Sequence, residues 1–266
     1  MKNISQLMSM RNRKVLITGA CGALGRTFAE TISELGGDLI LVDHPDVDFE
    51  ELIETLRKFD NNVICLHCDL ESEMDRKDLV KKINSYNAPL NVLVNNAAFG
   101  GTTKLDGWVT RFEDQSLDSW RRAFEVNLTA AFDFAKELSP LLRASGNGSI
   151  INIASIYGVN GADLSLYEDT EMGNPAAYAA SKGGLIQLTR WLSTVLAPEI
   201  RVNSISPGGI FRNQPKIFVD RYKSKTPLNR MATEEDFKGI IAYLSSDLSS
   251  YVTGENILVD GGFTAW

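Results

Sequence analysis

Lys14-Val15-Leu16-Ile17-Thr18 runs directly into Gly19-Ala20-Cys21-Gly22-Ala23-Leu24-Gly25, and this junction limits the possible folds more than any other stretch of the chain. The first five residues are a short apolar, β-branched run stopped by glycine, which reads as a strand buried in a parallel sheet. Phe28, Ile32 and Leu35 then recur at helical spacing. Strand, glycine-rich turn and helix in that order bring backbone N–H groups and the positive end of a helix dipole to one point, where a pyrophosphate can sit. A glycine turn kept only for packing is the alternative, and the flanking strand and helix weigh against it.

The pattern repeats. Asp38-Leu39-Ile40-Leu41-Val42-Asp43 is a second strand, and its terminal carboxylate falls 18 residues after Gly25, close to the spacing at which an acid accepts hydrogen bonds from an adenosine ribose. Asp43 would repel a 2′-phosphate, and His44-Pro45-Asp46 offers no Arg or Lys, so the reading is NAD(H) over NADP(H). A terminal strand Asp can also serve as a helix cap. A third strand, 62–68, delivers Asp69 and Leu70 to the sheet edge where an adenine ring would lie. A fourth, 90–94, runs into Asn95-Asn96-Ala97-Ala98, small enough for close approach to a dinucleotide. Alternating strands and helices predict an α/β fold: a doubly wound parallel sheet in three layers, one domain over 1–266.

Composition limits the partners. A net charge of −7 without basic runs argues against nucleic acid or a membrane surface. Nothing approaches the length of a membrane span, residues 1–13 lack a signal-peptide core, and Cys21, Cys65 and Cys68 are too few for a disulfide framework, so a cytoplasmic location is expected. Cys65-Leu66-His67-Cys68 spells C-x-x-C, but it lies in an apolar strand with no second ligand pair, and no metal is expected.

Tyr178-Ala179-Ala180-Ser181-Lys182 carries the chemistry. Residues four apart share a helix face, so a phenol and an ammonium stand side by side. The positive charge should lower the Tyr178 pKa and let it trade a proton with a substrate oxygen. Alone, such a pair is common in helices.

Taken together, Thr18-Gly19 with the glycine turn, Asn95-Asn96-Ala97, Val126-Asn127, Ser155, Tyr178 with Lys182, Pro207-Gly208-Gly209, and Val252-Thr253-Gly254 through Asp260-Gly261-Gly262 resemble the short-chain dehydrogenase/reductase family over nearly the whole chain. The resemblance implies a Rossmann fold. It implies that Tyr178 is the general acid/base, that Lys182 holds the nicotinamide ribose and tunes Tyr178, and that Ser155 bonds the reacting oxygen. Asn127, within a helix over 117–142, would anchor a water linked to Lys182. The cofactor-binding set is Gly19, Cys21, Gly22, Ala23, Leu24, Gly25, Asp43, Asp69, Leu70, Asn96, Ala97, Ala98, Tyr178, Lys182, Pro207, Gly208 and Ile210. Ser155, Asn127 and the Pro207 turn each also have plain structural uses.

The chain departs from the family pattern at four places. Gly19, Gly22 and Gly25 are spaced as in the family's longer nucleotide-sugar-modifying branch. Ala98 replaces a usual glycine. Ser155 and Tyr178 are 23 residues apart, wider than usual, and Phe211-Arg212-Asn213 stands where the family has a Thr that meets the cofactor. The extra segment, 161–175, leaves the catalytic strand directly and contains Tyr167, Glu168, Asp169 and Glu171, which could bind substrate hydroxyl or amino groups or simply decorate the surface. A second substrate loop is expected at about 211–229, in which 214–229, with Phe218 and Tyr222, reads equally as a helical lid or as plain surface helix. Ser155 to Gly158 with Tyr167-Glu168 is loosely similar to members from bacterial surface-sugar and flagellin-glycan pathways.

The expectation is an NAD-dependent oxidoreductase acting on a secondary alcohol or ketone of a polar, sugar-derived small molecule. An NADPH-dependent 3-oxoacyl-type reductase, a lyase or isomerase using NAD transiently, and a non-catalytic dinucleotide sensor remain open. The apolar Phe263-Thr264-Ala265-Trp266 end suggests a homo-oligomer, tetramer or dimer, or burial within one subunit.

Overall fold

A computed structural model of the chain describes residues 1–100 and 103–266. After a short helix α1 (Ile4–Met8), strands β1 (Lys14–Thr18), β2 (Asp38–Asp43), β3 (Val63–His67), β4 (Val92–Asn95), β5 (Gly148–Ile153), β6 (Ile200–Pro207) and β7 (Asn256–Val259) form one sheet in the order β3-β2-β1-β4-β5-β6-β7. Every neighbouring pair is parallel. The connecting helices are α2 (Ala23–Glu34), α3 (Glu50–Leu56), α4 (Glu73–Ser85), α5 (Leu117–Phe124), α6 (Ala130–Ala144), α7 (Ala176–Val195), α8 (Lys216–Ser224) and α9 (Lys238–Ser245). The three-layered doubly wound sheet is the architecture expected from the alternating pattern.

Alternate strand residues go to opposite faces, and both faces are covered, which is why the strands read as unbroken apolar runs. On one face Leu16, Ile40, Leu93, Ile150 and Val202 pack under Leu79 of α4, Phe134 and Leu138 of α6 and Leu192 of α7. On the other, Val15, Ile17, Leu39, Leu41, Val94 and Ile151 pack under Phe28 and Ile32 of α2, Leu52 of α3 and Ile241 of α9. Strand order reverses at β1, which lies between β2 and β4, so the crevice beyond the carboxyl ends of these strands is the place where such a sheet receives a ligand.

Three boundaries differ from the sequence reading. Strands β3 and β4 shift by one or two residues at their ends. The predicted helix over 117–142 is broken by a π-turn at Glu125–Thr129, whose wider pitch lets Asn127 reach across to neighbouring elements. Buried Arg76 of α4 pairs with Glu125 at 2.7 Å and Asp133 at 2.9 Å, fixing this break from below, and donates to the Leu70 carbonyl at 2.5 Å. No helix among the described residues is long and apolar enough to cross a membrane.

Candidate active site

The carboxyl ends of the strands open into one cleft of about 980 Å³, running from β2 and β3 past β1 and β4 to β5 and β6. Its floor begins at the glycine turn. Gly19 has φ +62°, and a Cβ there would lie 2.8 Å from Ala97 Cα, so only glycine lets the two backbones meet. Thr18 fastens the contact: its hydroxyl accepts from the N–H groups of Asn96 and Ala97 at 3.1 Å each, while the Asn96 amide donates to the Thr18 and Gly19 carbonyls at 2.9 Å each. Gly25 has a different role. A Cβ there would sit 2.1 Å from the Gly19 carbonyl oxygen, so Gly25 lets α2 dock against the turn.

These features suit a dinucleotide. Helix α2 begins at Gly22 with no side-chain cap, leaving first-turn N–H groups for an anion. Asp43, at the end of β2, accepts from the backbone N–H of Cys21 at 2.7 Å and of His44 at 2.8 Å, so its carboxylate both ties down the glycine turn and faces the cleft. Asp69 accepts from the Glu71 N–H at 2.9 Å, and Arg122 clamps Glu71 with two bonds of 2.7 and 2.9 Å. Of the residues singled out from the sequence for this function, Gly19, Gly22, Ala23, Leu24, Asp43, Asp69, Leu70, Asn96, Ala97, Ala98, Pro207, Gly208 and Ile210 line the cleft. Cys21 and Gly25 do not. Cys21 lies behind the turn, its thiol pushed up to about 11 by burial first and by the Asp43 charge second.

Ser155, Tyr178 and Lys182 meet where β5 ends. Ser155 lies two residues past the end of β5, and its hydroxyl accepts from the Tyr157 N–H at 3.1 Å. Tyr178 and Lys182 lie one turn apart on α7, with the Lys182 ammonium 5.9 Å from the centre of the Tyr178 ring. Gly158 lets this corner close, since a Cβ there would fall 2.7 Å from the Lys182 carbonyl carbon.

The electrostatics differ from the sequence expectation. Burial holds the Tyr178 phenol above its ordinary pKa, while Ser155 and the Arg212 charge pull the other way. Burial drives the Lys182 ammonium down to about 7, although it donates to the Ile153 carbonyl at 2.6 Å. Asn127 is held by its side chain on both sides. Its amide oxygen accepts from the Phe99 N–H at 2.8 Å, and its nitrogen donates to the Phe99 carbonyl at 3.2 Å and to Ser181 Oγ at 3.0 Å, so it braces the cleft wall against α7 from behind.

The extra segment 161–175 divides. Tyr167, Met172, Gly173 and Asn174 line the cleft, and the Tyr167 and Tyr157 hydroxyls bond to each other. Glu168, Asp169 and Glu171 do not line it. Arg221 of α8 takes the Glu168 carbonyl and the Asp169 carboxylate, and Lys225 takes Asp163, so these charges fasten the segment to α8. Within 211–229, Phe218 and Tyr222 of α8 are buried against Leu166 and Met231 and line the cleft. The Tyr222 hydroxyl accepts from Gly209 N–H at 2.5 Å, and Phe263 stacks on the Tyr222 ring at 4.6 Å. The chain end thus splits between a packed Phe263 and a largely exposed Trp266. Asn213 stays out of the cleft, and Arg212 and Gln214 line it. Sequence reading gave Arg212 and Tyr157 no role; the family's Thr position, filled here by Arg212 and its neighbours, was the one available signal.

A family model described as enoyl-(acyl carrier protein) reductase matches residues 19–264. The chain is 34% identical over 259 residues to trans-4-hydroxycyclohexanecarboxylate dehydrogenase of Sinomonas cyclohexanicum, covering 94% of this chain and 92% of that one. It is 30% identical over 265 residues to an uncharacterized short-chain type dehydrogenase/reductase of Sinorhizobium fredii, but spans only 43% of that longer protein. A crystal structure of a short chain dehydrogenase from Leptospira borgpetersenii with bound NAD+ superposes with a TM-score of 0.84 at 34% identity, over 99% of this chain and 96% of that one. With this sheet order, this glycine turn and this Ser-Tyr-Lys corner, the chain belongs to the short-chain dehydrogenase/reductase family.

Proposed function

We propose that the chain is an NAD(H)-dependent oxidoreductase that interconverts a secondary alcohol and a ketone on a polar, sugar-derived small molecule. The observation that carries this reading is the convergence of Ser155, Tyr178 and Lys182 at the end of β5, in the same cleft as the glycine turn. A nicotinamide dinucleotide held along the cleft would supply the hydride exchange. The protein moves the proton. Tyr178 Oη takes it from the carbinol oxygen, or returns it to the carbonyl, while the Ser155 hydroxyl donates to that oxygen and fixes it. Lys182 lies beneath Tyr178, where an ammonium steadies a phenolate as it forms. Asp43 favours NAD, because a 2′-phosphate would bring negative charge beside its carboxylate.

A second reading, an NADPH-dependent acyl reductase, draws on the description of the matching family model and on the apolar Met172, Phe218 and Met231 along the cleft. Asp43 and the polar Tyr157, Tyr167 and Asn174 favour the first. Exposed Leu117, Trp120 and Phe132 on α5 and α6 support a homo-oligomer.

The test is a panel of secondary alcohols, sugars and nucleotide sugars with NAD and NADP, read by absorbance of the reduced nucleotide. Turnover with NAD is expected, and Tyr178→Phe should cut it by roughly 10²–10⁴-fold while leaving NAD binding intact. Undiminished turnover in that variant would remove Tyr178 from the chemistry.

A further inference from the structure

Charge is unevenly distributed along the cleft. Its carboxylates, Asp43, Asp69 and Glu71, all follow β2 or β3. The walls beyond Tyr178, formed by 155–178 and 207–231, are aromatic, apolar or neutral polar among the described residues except for Arg212. Its Nε donates to Glu234 Oε1 at 3.0 Å, with the Arg212 side chain about half exposed. This bond takes one edge of the guanidinium, and its two terminal nitrogens have no hydrogen-bond partner among the described residues. The loop beneath is held firmly: Arg212 N–H donates to Gln214 Oε1 at 2.7 Å, and Gln214 Nε2 donates to the Ile210 carbonyl at 2.7 Å. Arg212 and Tyr178 line the same cleft.

An oriented guanidinium with a free fork, on a wall whose cleft-lining residues include no carboxylate and whose own partner Glu234 lies outside the lining, is suited to a planar or tetrahedral oxyanion held by two bonds. We propose that Arg212 is the substrate's anion receptor, so that the cleft takes a secondary alcohol or ketone that also carries a carboxylate or a phosphate ester. This deepens the oxidoreductase reading and rests on it. The rival use of the same fork is the diphosphate of the dinucleotide. That group already has a receiver in the uncapped start of α2, which follows β1, whereas Arg212 follows β6, with β4 and β5 lying between the two strands.

Matched pairs test the inference: hydroxy acids against their amides, and sugar phosphates against the free sugars, with wild type, Arg212→Gln and Arg212→Lys, each with NADH affinity read by fluorescence titration. The charged member of a pair should be favoured in wild type. Arg212→Gln should lose about ten- to hundredfold in kcat/KM on it, chiefly through KM, as expected for hydrogen bonds to a charged group. The neutral member and the NADH affinity should change by less than about threefold, and Arg212→Lys should recover part of the loss. Whichever of the two series responds identifies the anion. Equal loss on charged and neutral members, or a loss confined to NADH binding, overturns the proposal. Thermal shift in the presence of NADH separates it from the parent reading: a charged compound that stabilises wild type but not Arg212→Gln, without any hydride transfer, supports anion recognition and sinks the oxidoreductase reading alone.

Discussion

Lys182 is 2% exposed, with its ammonium on the Ile153 carbonyl. Burial lowers its pKa from the ordinary 10.5 to about 7, so the unfolded chain holds a proton that the folded chain sheds between those values. The unfolded state then binds more protons in that interval, and stability rises with pH across it. The interval is clean only up to about pH 8, since burial raises the thiols of Cys21, Cys65 and Cys68 above their ordinary 9.0, and their titration in the unfolded chain as pH approaches that value works in the opposite direction. Chemical denaturation between pH 7 and 8, without added nucleotide, should show stability climbing by up to about 1.4 kcal/mol per pH unit. Lys182→Met should flatten that slope; an unchanged slope would mean the ammonium stays charged in the fold. Spacing alone placed Tyr178 and Lys182 together. It misjudged the Tyr178 pKa, because desolvation depends on what covers the ring, and that cover comes from distant parts of the chain.

At the scale of elements, α2 is held by a contact that only glycine permits. Gly25→Ala would drive a Cβ into the Gly19 carbonyl, lifting the helix that carries Phe28 and Ile32 into the core. A loss of roughly 3 kcal/mol or more is expected, with weakened nucleotide binding, measured by urea unfolding and NADH titration. Gly239→Ala is the control: in α9 nothing lies within 4 Å of its Cβ, and the change should stabilise by up to about 1 kcal/mol. Equal effects at both positions would show that packing at the turn is not what matters. The strand, turn and helix of this element were legible in sequence because each depends on neighbours a few residues away. The π-turn around Asn127 was not, since it is set by Arg76, Glu125 and Asp133 from two helices.

For the whole molecule, the cleft is lined from both halves of the sheet, so a dinucleotide along it bridges elements far apart in sequence and binds only the folded chain. At a concentration about a hundred times its Kd, such a ligand adds about 2.7 kcal/mol, or roughly 5–10 °C in Tm for a chain of this length. NAD should give the larger shift and NADP the smaller at equal concentration, because of Asp43; equal shifts would remove Asp43 as the discriminator. The sequence by itself determined the order of strands and helices, the parallel sheet, the glycine-rich turn and the Tyr178–Lys182 pair, since periodicity, glycine freedom and helical spacing are local properties. Tertiary structure alone decided that Glu168 and Asp169 tie a loop to α8, that Asn127 braces Phe99 and Ser181, and that Arg212 reaches the cleft. Those outcomes depend on which distant surfaces meet and which charges they leave uncovered, and no short window of residues contains that information.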